Sequence, residues 1–517
     1  MASGLVLAVA ATVIGYAGSQ DRQPRVVGGN PPINRGALDV DNLATYNSPT
    51  IVRNPVRSAN LAVANRIDTP GFSCALHTSF DSGATWEPST IPFPEGEEAP
   101  PRCFAPDLAF ASDGTLYLVF VTLKGPGNAP NAVWFTRSTD GGRTLALPRR
   151  LQGPAPPLAF QVRLVADPAR ANRLYLSWLQ AFDTVSFGFA APGNPILTSR
   201  SDDAGATWSP AVRVNPAARG MAVAPSPAVG PAGELYVLYL DLGNDRLDYL
   251  AAHEGNGGPP DGGPWALVLA RSTDNGATWR ESTVDAEVVP IERFVVFIPP
   301  FPSLAVDAGD GRIYVGFHDG RGGDADVLVW TSGDGGATFS RPRRVNDTRP
   351  RDGTWQYLPK LAVAPNGRLD VVYYDRRADR QNLFNEVSLQ ASTDGGRSFG
   401  PRLRLSNRSF DSRSGFGYRR NLPDLGTRLG LLSTSGAALA VWPDTRAATE
   451  ETIKQDLGTA LVEFPAPSRV RGLLRVGGPA LGLVALALLA WSVRLDRSGT
   501  SWPDQRAGRR PVDFSPR

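Results

Sequence analysis

The chain has 517 residues, which is too long for one ordinary hydrophobic core, yet no linker rich in Ser, Gly and Pro divides it into two globular halves. Its 54 glycines, 46 prolines and 42% hydrophobic residues favour many short strands joined by turns and exclude a disordered chain. The net charge is only +3 and no arginine-rich stripe interrupts the middle of the chain, so nucleic acid is not expected as a partner.

The N-terminus has the character of an export signal. Residues 4–17, GLVLAVAATVIGYA, form an apolar run of signal-sequence length followed by small residues, although no Lys or Arg precedes it. We expect residues 1–20 to be a signal sequence or an N-terminal anchor, and therefore expect the protein to be exported.

One eight-residue pattern recurs six times, with Ser first, Asp third, Gly fifth, and Thr or Ser before a large apolar residue. The copies are SFDSGATW at 79, STDGGRTL at 138, SDDAGATW at 201, STDNGATW at 272, SGDGGATF at 332 and STDGGRSF at 392. Asp accepts hydrogen bonds from turn amides, Gly permits positive φ, and the large apolar residue packs the hairpin on its neighbours. A structural turn role is therefore predicted for Asp81, Asp140, Asp203, Asp274, Asp334 and Asp394.

We call each copy of this eight-residue pattern a box. Between the boxes lies a second unit, which consists of an apolar strand, a tight turn and a longer apolar strand. Examples are PDLAFASDGTLYLVFV, PSLAVDAGDGRIYVGF and PKLAVAPNGRLDVVYY. We expect them to be the two inner strands of a four-stranded blade whose box joins the third and fourth strands. Such first strands begin near 49, 106, 161, 226, 302, 359 and 427, which gives seven units for six boxes.

The seventh unit, TRLGLLSTSGAALAVWPDTR followed by KQDLGTALVEF, supplies three strands and lacks both a box and a fourth strand. The segment PRVVGGNPPINRG at 24 is similar to the outer strands AVRVNPAARG at 211 and PRRVNDTRP at 342. Residues 24–30 are therefore predicted to supply the missing strand and to remove an exposed edge. An all-β propeller of seven blades over residues 24–464 is favoured; a six-bladed ring with one degenerate unit outside it is the alternative.

The C-terminus carries a second apolar segment. Residues 465–475 are predicted to be a juxtamembrane linker, 476–493 (VGGPALGLVALALLAWSV) a transmembrane helix, and 494–517 a short polar tail. A buried core helix is the alternative for residues 476–493. Together with the export signal, this segment predicts a single-pass protein of the cell membrane with the propeller on the extracytoplasmic side.

Cys74 and Cys103 are the two cysteines of the chain, and an even number in an exported protein permits one disulfide, although two buried thiols are the alternative. The chain has no CxxC, HExxH or GxxxxGK[ST] motif, so we expect no cofactor and no metal. Asp319, Asp324 and Asp326 offer hard oxygen ligands for calcium but lack the loop spacing of a known calcium site.

The box pattern S-x-D-x-G-x-[TS]-[WFL] resembles the Asp-box (BNR) repeat of sialidases and related propellers over residues 24–464. This resemblance implies that function is decided by loops on the ring face opposite the boxes. By its position in the first blade, Asp68 is implied as catalytic acid/base, and Tyr357, in WQYLPKLAV, as nucleophile. The sialidase pattern also has an Arg before the first strand and a Glu beside the Tyr; TYNSPTIV lacks that Arg, and no Glu is found near Tyr357 in the sequence.

Asp and Arg recur in the loops after the second strands. Together with the arginines that the resemblance implies, these loops give the candidate substrate-binding residues Arg66, His318, Asp319, Arg321, Asp375, Arg377, Arg428, Asp444 and Arg446. A ring of such groups at one mouth would suit an anionic or hydroxyl-rich sugar, whereas ion pairs between blades would produce the same recurrence. The predicted partner is a glycan or cell-surface ligand. Exo-glycosidase hydrolysis of the sialidase type and a non-catalytic binding or assembly scaffold are the two functions left open.

Overall fold

The computed structural model describes residues 23–34, 43–97, 102–151, 158–182, 193–243, 245, 264–291, 300–415, 424–449 and 452–464. The predicted signal sequence, juxtamembrane linker, transmembrane helix and polar tail lie outside these residues. No helix within the described ranges is long and apolar enough to cross a membrane.

Twenty-nine strands form the described fold. In chain order they are β1 (Arg25–Val27), β2 (Tyr46–Arg53), β3 (Leu61–Ile67), β4 (Ser73–Ser79), β5 (Glu87–Ser89), β6 (Cys103–Phe110), β7 (Leu116–Lys124), β8 (Ala129–Ser138), β9 (Arg149–Arg150), β10 (Ala159–Ala166), β11 (Leu174–Gln180), β12 (Ile196–Ser201), β13 (Val212–Arg213), β14 (Ala222–Val229), β15 (Leu235–Asp241), β16 (Trp265–Ser272), β17 (Arg280–Val288), β18 (Ser303–Val306), β19 (Ile313–Asp319), β20 (Asp326–Ser332), β21 (Arg343–Arg344), β22 (Gln356–Val363), β23 (Leu369–Asp375), β24 (Phe384–Ser392), β25 (Leu403–Arg404), β26 (Phe410–Asp411), β27 (Gly430–Ser433), β28 (Ala437–Asp444) and β29 (Asp456–Glu463).

These strands make seven antiparallel sheets, each a propeller blade. Blades 1 to 6 are β2–β5, β6–β9, β10–β13, β14–β17, β18–β21 and β22–β25, and β26 adds a short pairing to β24. Blade 7 has the order β27, β28, β29 and β1. The seven-bladed all-β prediction is confirmed, and the six-bladed alternative is wrong because the seventh unit forms a complete sheet.

The N-terminal strand closes the ring. Arg25 is the register partner of Glu463, Val26 of Val462 and Val27 of Leu461. Residues 24–30 therefore supply the fourth strand that the seventh unit lacks, as the sequence predicted. Without this pairing, β29 would expose an unpaired edge.

The hydrophobic core lies between the blades, because each sheet packs both of its faces against its neighbours. The second strand of a blade is consequently apolar along its length, and every residue of β11 is buried. Trp178, Trp330 and Trp442 are among the largest fully buried side chains and fill three of these interfaces. This explains the continuous apolar runs of the second strands.

The Asp boxes form the hairpins between third and fourth strands. In the box of blade 4, Ser272 Oγ donates to Asp274 Oδ1 at 2.7 Å, while the Thr278 amide and hydroxyl donate to Oδ1 at 2.9 Å and Oδ2 at 2.6 Å. The hydroxyl and amide of Thr278 together lower the pKa of Asp274 to about 2. The other five boxes repeat these contacts, so their aspartates hold turns together.

The two faces of the ring differ. In each blade the start of the second strand pairs with the end of the third; in blade 1, Leu61 of β3 pairs with Ser79 of β4. The boxes follow the third strands and therefore lie on the same face of the ring as the turns between first and second strands. We call this the Asp-box face. The opposite face, where second strands end and innermost strands begin, we call the mouth face.

The innermost strands share a local distortion at the mouth face. The backbone adopts positive φ at one position in six blades: Ser48 (51°), Ala105 (50°), Gln161 (53°), Ala224 (59°), Leu358 (52°) and Gly426 (80°). In β2, β6, β10, β14 and β22 this residue lies within a register shift. Such a bulge re-aims the side chains that follow it.

Candidate functional site

Seven side chains, one from each blade, lie two residues after this distortion or, in blade 5, two residues after the corresponding residue Phe301. We call them the axial ring: Thr50, Asp107, Arg163, Ser226, Ser303, Lys360 and Arg428. Six of the seven junctions between blades carry a hydrogen bond or an ion pair at this level. The axial ring is therefore the layer in which the seven inner strands meet.

Asp107 is the carboxylate of the axial ring, and it is fully buried. It accepts hydrogen bonds from Thr50 Oγ1 and from the Leu164 amide, both at 2.9 Å, and its Oδ1 lies 3.2 Å from Arg163 Nη1. Arg428 donates from Nε to Thr50 Oγ1 at 3.0 Å and from Nη2 to the Pro106 carbonyl at 2.9 Å. These contacts join blades 7, 1, 2 and 3.

Positive charge exceeds negative charge in the axial ring, since Arg163, Lys360 and Arg428 face the single carboxylate of Asp107. Burial, followed by the charge of Arg163, lowers the pKa of Lys360 to about 8 and that of Arg428 to about 9. Both groups still carry a proton at neutral pH. In the described structure the Lys360 ammonium makes no hydrogen bond or ion pair, so two positive charges remain unbalanced.

Phe301 reaches across the mouth side of the axial ring. It takes the place of the distorted residue in blade 5, and its amide donates to the Thr427 carbonyl at 3.2 Å, a contact that skips blade 6. The guanidinium carbons of Arg163 and Arg428 lie 5.4 Å and 6.0 Å from the centre of its ring. An aromatic face at this distance attracts both cations.

An axial cavity lies beside Phe301. Its described lining residues are Ser48, Arg66, Phe104, Ala105, Pro106, Gln161, Val162, Phe301, Thr427 and Arg428. The centre of a water-sized particle can range over about 20 Å³ in it, which is room for roughly one water or small ion. None of these ten residues is acidic and two are arginines, so the axial cavity suits one anionic group and is too small for a sugar ring.

Asp68 lies behind one wall of the axial cavity. Its Oδ1 is 2.5 Å from Arg66 Nε, and its Oδ2 accepts from Arg66 Nη2 at 2.9 Å and from Asn47 Nδ2. The Asp68 side chain has no exposed surface, and Arg66 also packs over the Phe104 ring at 4.8 Å. Arg66 therefore reaches the axial cavity, whereas the carboxylate of Asp68 is enclosed in an ion pair. Its acid/base role stays a prediction.

Tyr357 lies inside blade 6 and is fully buried. Its hydroxyl donates to Asn385 Oδ1 at 2.9 Å and accepts from Arg376 Nη2 at 3.2 Å, and burial raises its pKa. A buried, neutral tyrosine is a weak nucleophile, and Tyr357 is not among the residues that line the axial cavity. The nucleophilic role that the resemblance implied for Tyr357 stays a prediction.

A hydrogen-bonded tyrosine and glutamate do occur, but within blade 4. The Tyr239 hydroxyl donates to Glu281, and Arg219 Nε donates to the other oxygen of Glu281 at 2.9 Å. Burial, followed by this hydrogen bond, raises the pKa of Tyr239. The pair lies on the second and fourth strands of one blade and does not line the axial cavity.

The Asp and Arg residues at the ends of the second strands form ion pairs in blades 5, 6 and 7. In each pair the aspartate accepts the backbone amide of the arginine two residues later and also binds its guanidinium. The pairs are Asp319 with Arg321, Asp375 with Arg377, and Asp444 with Arg446. Each guanidinium has a second partner in the preceding blade: Asp285 at 3.0 Å, Asp347 at 2.6 Å and Asn407 at 2.6 Å respectively.

These pairs are ties between blades, which is one of the two readings that the sequence left open. His318, next to the first pair, is buried against the Phe317 ring, and burial lowers its pKa to about 3. Substrate binding by these residues stays a prediction. Of the candidate binding residues, Arg66 and Arg428 are the two that line the axial cavity.

The predicted cysteine pair is bonded. Cys74 of β4 and Cys103 of β6 form a disulfide with a Cα–Cα distance of 5.5 Å, which links blades 1 and 2. Cys74 is the register partner of Arg66, and Phe104 follows Cys103. The disulfide therefore fixes two adjoining walls of the axial cavity.

The acidic residues of the blade 5 loop accept hydrogen bonds from neighbouring protein groups, although Asp324 Oδ1 has no hydrogen-bond partner in the described part of the chain. Asp324 Oδ2 accepts the Gly353 amide at 3.0 Å, and Asp326 Oδ1 accepts from Asn346 Nδ2 at 2.7 Å. Among the described residues no group of three His, Cys, Asp or Glu side chains could hold a metal ion.

Residues 182–420 match the family model described as a BNR repeat-like domain. Over 239 residues the chain is 26% identical to a sialidase of Micromonospora viridifaciens, an alignment that covers 43% of this chain and 34% of the relative. The chain thus spans about a third of the length of the curated relative it matches.

Solved structures with similar folds include a Hadza microbial sialidase, with a TM-score of 0.43 and 15% identity over 79% of this chain and 74% of that one. An α-L-arabinanase of Penicillium chrysogenum has a TM-score of 0.40 and 14% identity, covering 73% of this chain and 97% of that one. The repeated boxes, the closed ring of seven blades and the BNR repeat-like match together make this chain a sialidase-like propeller of BNR repeats.

Proposed function

We propose that the mouth face recognises an anionic glycan and binds its acidic group in the axial cavity. The observation that carries this proposal is the unbalanced positive charge of the axial ring next to a cavity lined by Arg66 and Arg428. Guanidinium groups bind carboxylates through charged, directional hydrogen bonds. In a site with little water these interactions are stronger than in bulk solvent.

The size of the axial cavity limits how such a glycan binds. One carboxylate fits into a space of about 20 Å³, but the sugar ring that carries it must stay outside on the mouth face. A terminal acidic sugar meets this requirement, because its ring projects away from its carboxylate. The name sialidase, given to the matched relative, supports a sugar of this class.

Hydrolysis is the second candidate function, and the position of Asp68 directly behind Arg66 favours it. As described, Asp68 is held by Arg66 and Asn47, and Tyr357 is buried in blade 6. Catalysis would require Asp68 to leave this ion pair and face the substrate. Recognition without turnover needs no such rearrangement, and we therefore favour it.

We further propose that the propeller lies on the extracytoplasmic side of the cell membrane, anchored through residues 476–493. The support comes from the apolar run itself, and a disulfide between Cys74 and Cys103 suits an oxidising compartment.

Calorimetric titration of the full-length protein with 3′-sialyllactose, a glucuronic-acid-terminated trisaccharide and lactose tests recognition. We expect the acidic glycans to bind and lactose to give no heat. Arg428→Gln should weaken binding by about tenfold or more, because it removes a charged hydrogen-bonding partner. Arg312→Gln, an equal charge change on the Asp-box face, is the control.

Equal binding of lactose and sialyllactose, or unchanged binding by Arg428→Gln, would contradict the proposal. Release of a fluorophore from an aryl sialoside by the same preparation would decide for hydrolysis. Loss of that turnover in Asp68→Asn, with binding retained, would assign the acid/base role.

A further inference from the structure

The centre of the propeller has a surplus of positive charge on side chains that are buried or partly buried. Around the axial cavity the cations are Arg66, Arg163, Lys360 and Arg428, and the carboxylates are Asp68 and Asp107. Arg66 is neutralised by Asp68, so Arg163, Lys360 and Arg428 share Asp107. Buried charges are costly unless a partner of opposite sign is present. Within the described residues, about two of these positive charges therefore have no carboxylate to balance them.

Unsatisfied donors accompany this surplus. The buried Nε and Nη1 atoms of Arg163 make no hydrogen bond, although Nη1 lies near Asp107. The Lys360 ammonium likewise makes no hydrogen bond or ion pair within the described residues. Arg428 donates from Nε to Thr50 Oγ1 and from Nη2 to the Pro106 carbonyl, so its Nη1 can donate to another acceptor.

The axial cavity defines what such an acceptor can be. The centre of a water-sized particle ranges over only about 20 Å³ in it, so this small space favours a compact anion over a larger one. Its lining combines two guanidinium groups with the apolar rings of Phe104 and Phe301, and none of its described lining residues is acidic. Cations are repelled by this lining, and a neutral water would leave the charge surplus in place.

We propose that the axial cavity holds one small monovalent inorganic anion of the halide type, with chloride as the occupant, bound by Arg66 and Arg428. The charges of Arg163 and Lys360 reinforce its binding from the layer beneath. The site would then be part of the closed ring, since its walls come from blades 1, 2, 3, 5 and 7. This inference concerns the resting protein and holds whether or not a glycan binds at the mouth face.

Occupancy has a thermodynamic consequence. A ligand that binds the folded protein and not the unfolded chain raises stability as its concentration rises above its dissociation constant. Chloride should therefore raise the melting temperature of the protein beyond the general effect of salt. If an acidic glycan places its carboxylate in the same cavity, chloride should also weaken that binding.

Thermal unfolding of the full-length protein tests the chloride site, with sodium methanesulfonate replacing sodium chloride at constant ionic strength. We expect the melting temperature of the wild type to rise by roughly 1–3 °C and to saturate as chloride increases. Arg428→Gln should remove this dependence, and Arg312→Gln, on the Asp-box face, should retain it. A wild type that does not respond to chloride, or an Arg428→Gln variant that responds equally, would overturn the proposal.

A measurement on the wild type alone covers the case in which Arg428→Gln does not fold. Exchange of chloride with a protein site broadens its ³⁵Cl nuclear magnetic resonance line. We expect excess broadening from the folded protein that bromide abolishes by competition. If the folded wild type causes no such broadening, the cavity holds no exchanging chloride and the proposal is overturned. Glycan titration in chloride-free buffer gives an independent result, so the failure of one proposal is distinguishable from the failure of the other.

Discussion

Arg428 and Thr50 are 378 residues apart in the chain, and Arg428 Nε donates to Thr50 Oγ1 at 3.0 Å. Thr50 Oγ1 donates in turn to Asp107, so one hydrogen-bonded path runs from blade 7 through blade 1 into blade 2. The junction between blades 7 and 1, where the propeller closes, is thus part of the axial ring. The site at the axis is complete only when the first and last blades are joined.

The strength of this closure can be tested by truncation. Removal of residues 1–29 deletes β1 and leaves β29 with an unpaired edge. We expect a lower melting temperature and a less cooperative transition than for the protein without residues 1–22, which keeps β1. Equal melting curves for the two truncated proteins would show that β1 does not stabilise the ring.

Lys360 should destabilise the folded protein at neutral pH. Burial and the neighbouring arginines lower its pKa to about 8, against about 10.5 when unfolded. Between pH 8 and pH 10.5 the unfolded chain binds more protons than the folded protein, so the free energy of unfolding rises with pH. Below pH 8 Lys360 is charged in both states, and its burial lowers the free energy of unfolding by the full amount. We expect Lys360→Met to be more stable in chloride-free buffer by about 2 kcal/mol, since one pKa unit is worth about 1.4 kcal/mol and Lys360 is only partly buried.

Urea denaturation of Lys360→Met and wild type at several pH values checks this expectation. The difference in unfolding free energy should be constant below pH 8 and shrink towards pH 10.5. A difference that is independent of pH would mean that the ammonium is not the cause.

Asp107 should be the most sensitive carboxylate of the site. It is fully buried and accepts from Thr50 and the Leu164 amide, so Asp107→Asn leaves Arg163 without its partner. We expect a loss of about 3 kcal/mol in unfolding free energy. Asp202→Asn, whose ion-paired carboxylate is half exposed, should cost less than about 1 kcal/mol. Similar losses for the two variants would contradict the role given to Asp107.

The Asp boxes should matter for stability and not for anion binding. The hydroxyl and amide of Thr278 lower the pKa of Asp274 to about 2 in the folded protein. The ionised carboxylate therefore stabilises the fold at any pH above the pKa that Asp274 has in the unfolded chain. This stabilisation is lost as the pH falls towards 2. Asp274→Ala should melt at a lower temperature at pH 7 and lose less stability on acidification. Thr278→Ser is the control, because Ser398 serves the same purpose in the last box. A change in chloride dependence in Asp274→Ala would contradict this division.

The ring and its closure were predictable from the sequence because their signals are local. Box residues bond within their own turn, and the segment around Arg25 is similar to other outer strands. The axial ring was not recognised because its seven members share a register position and not a residue type. In six blades this position follows a backbone distortion that the sequence does not reveal.

Tyr357 and Lys360 show how a bulge separates the environments of two residues on one strand. It lies three residues before Lys360 on the same strand, with the bulge at Leu358 between them. Neighbouring residues of a strand face opposite sides, and a bulge shifts that alternation. Tyr357 consequently packs within blade 6 against Tyr374, while Lys360 belongs to the axial ring.

A crystal structure of the wild-type protein in bromide, with anomalous scattering measured at the bromine edge, tests the central claim most directly. An anion site at the axis predicts one strong peak in contact with the guanidinium groups of Arg66 and Arg428, beside Phe301. Bromide peaks confined to the outer surface, with only water density in the axial cavity, would contradict the account.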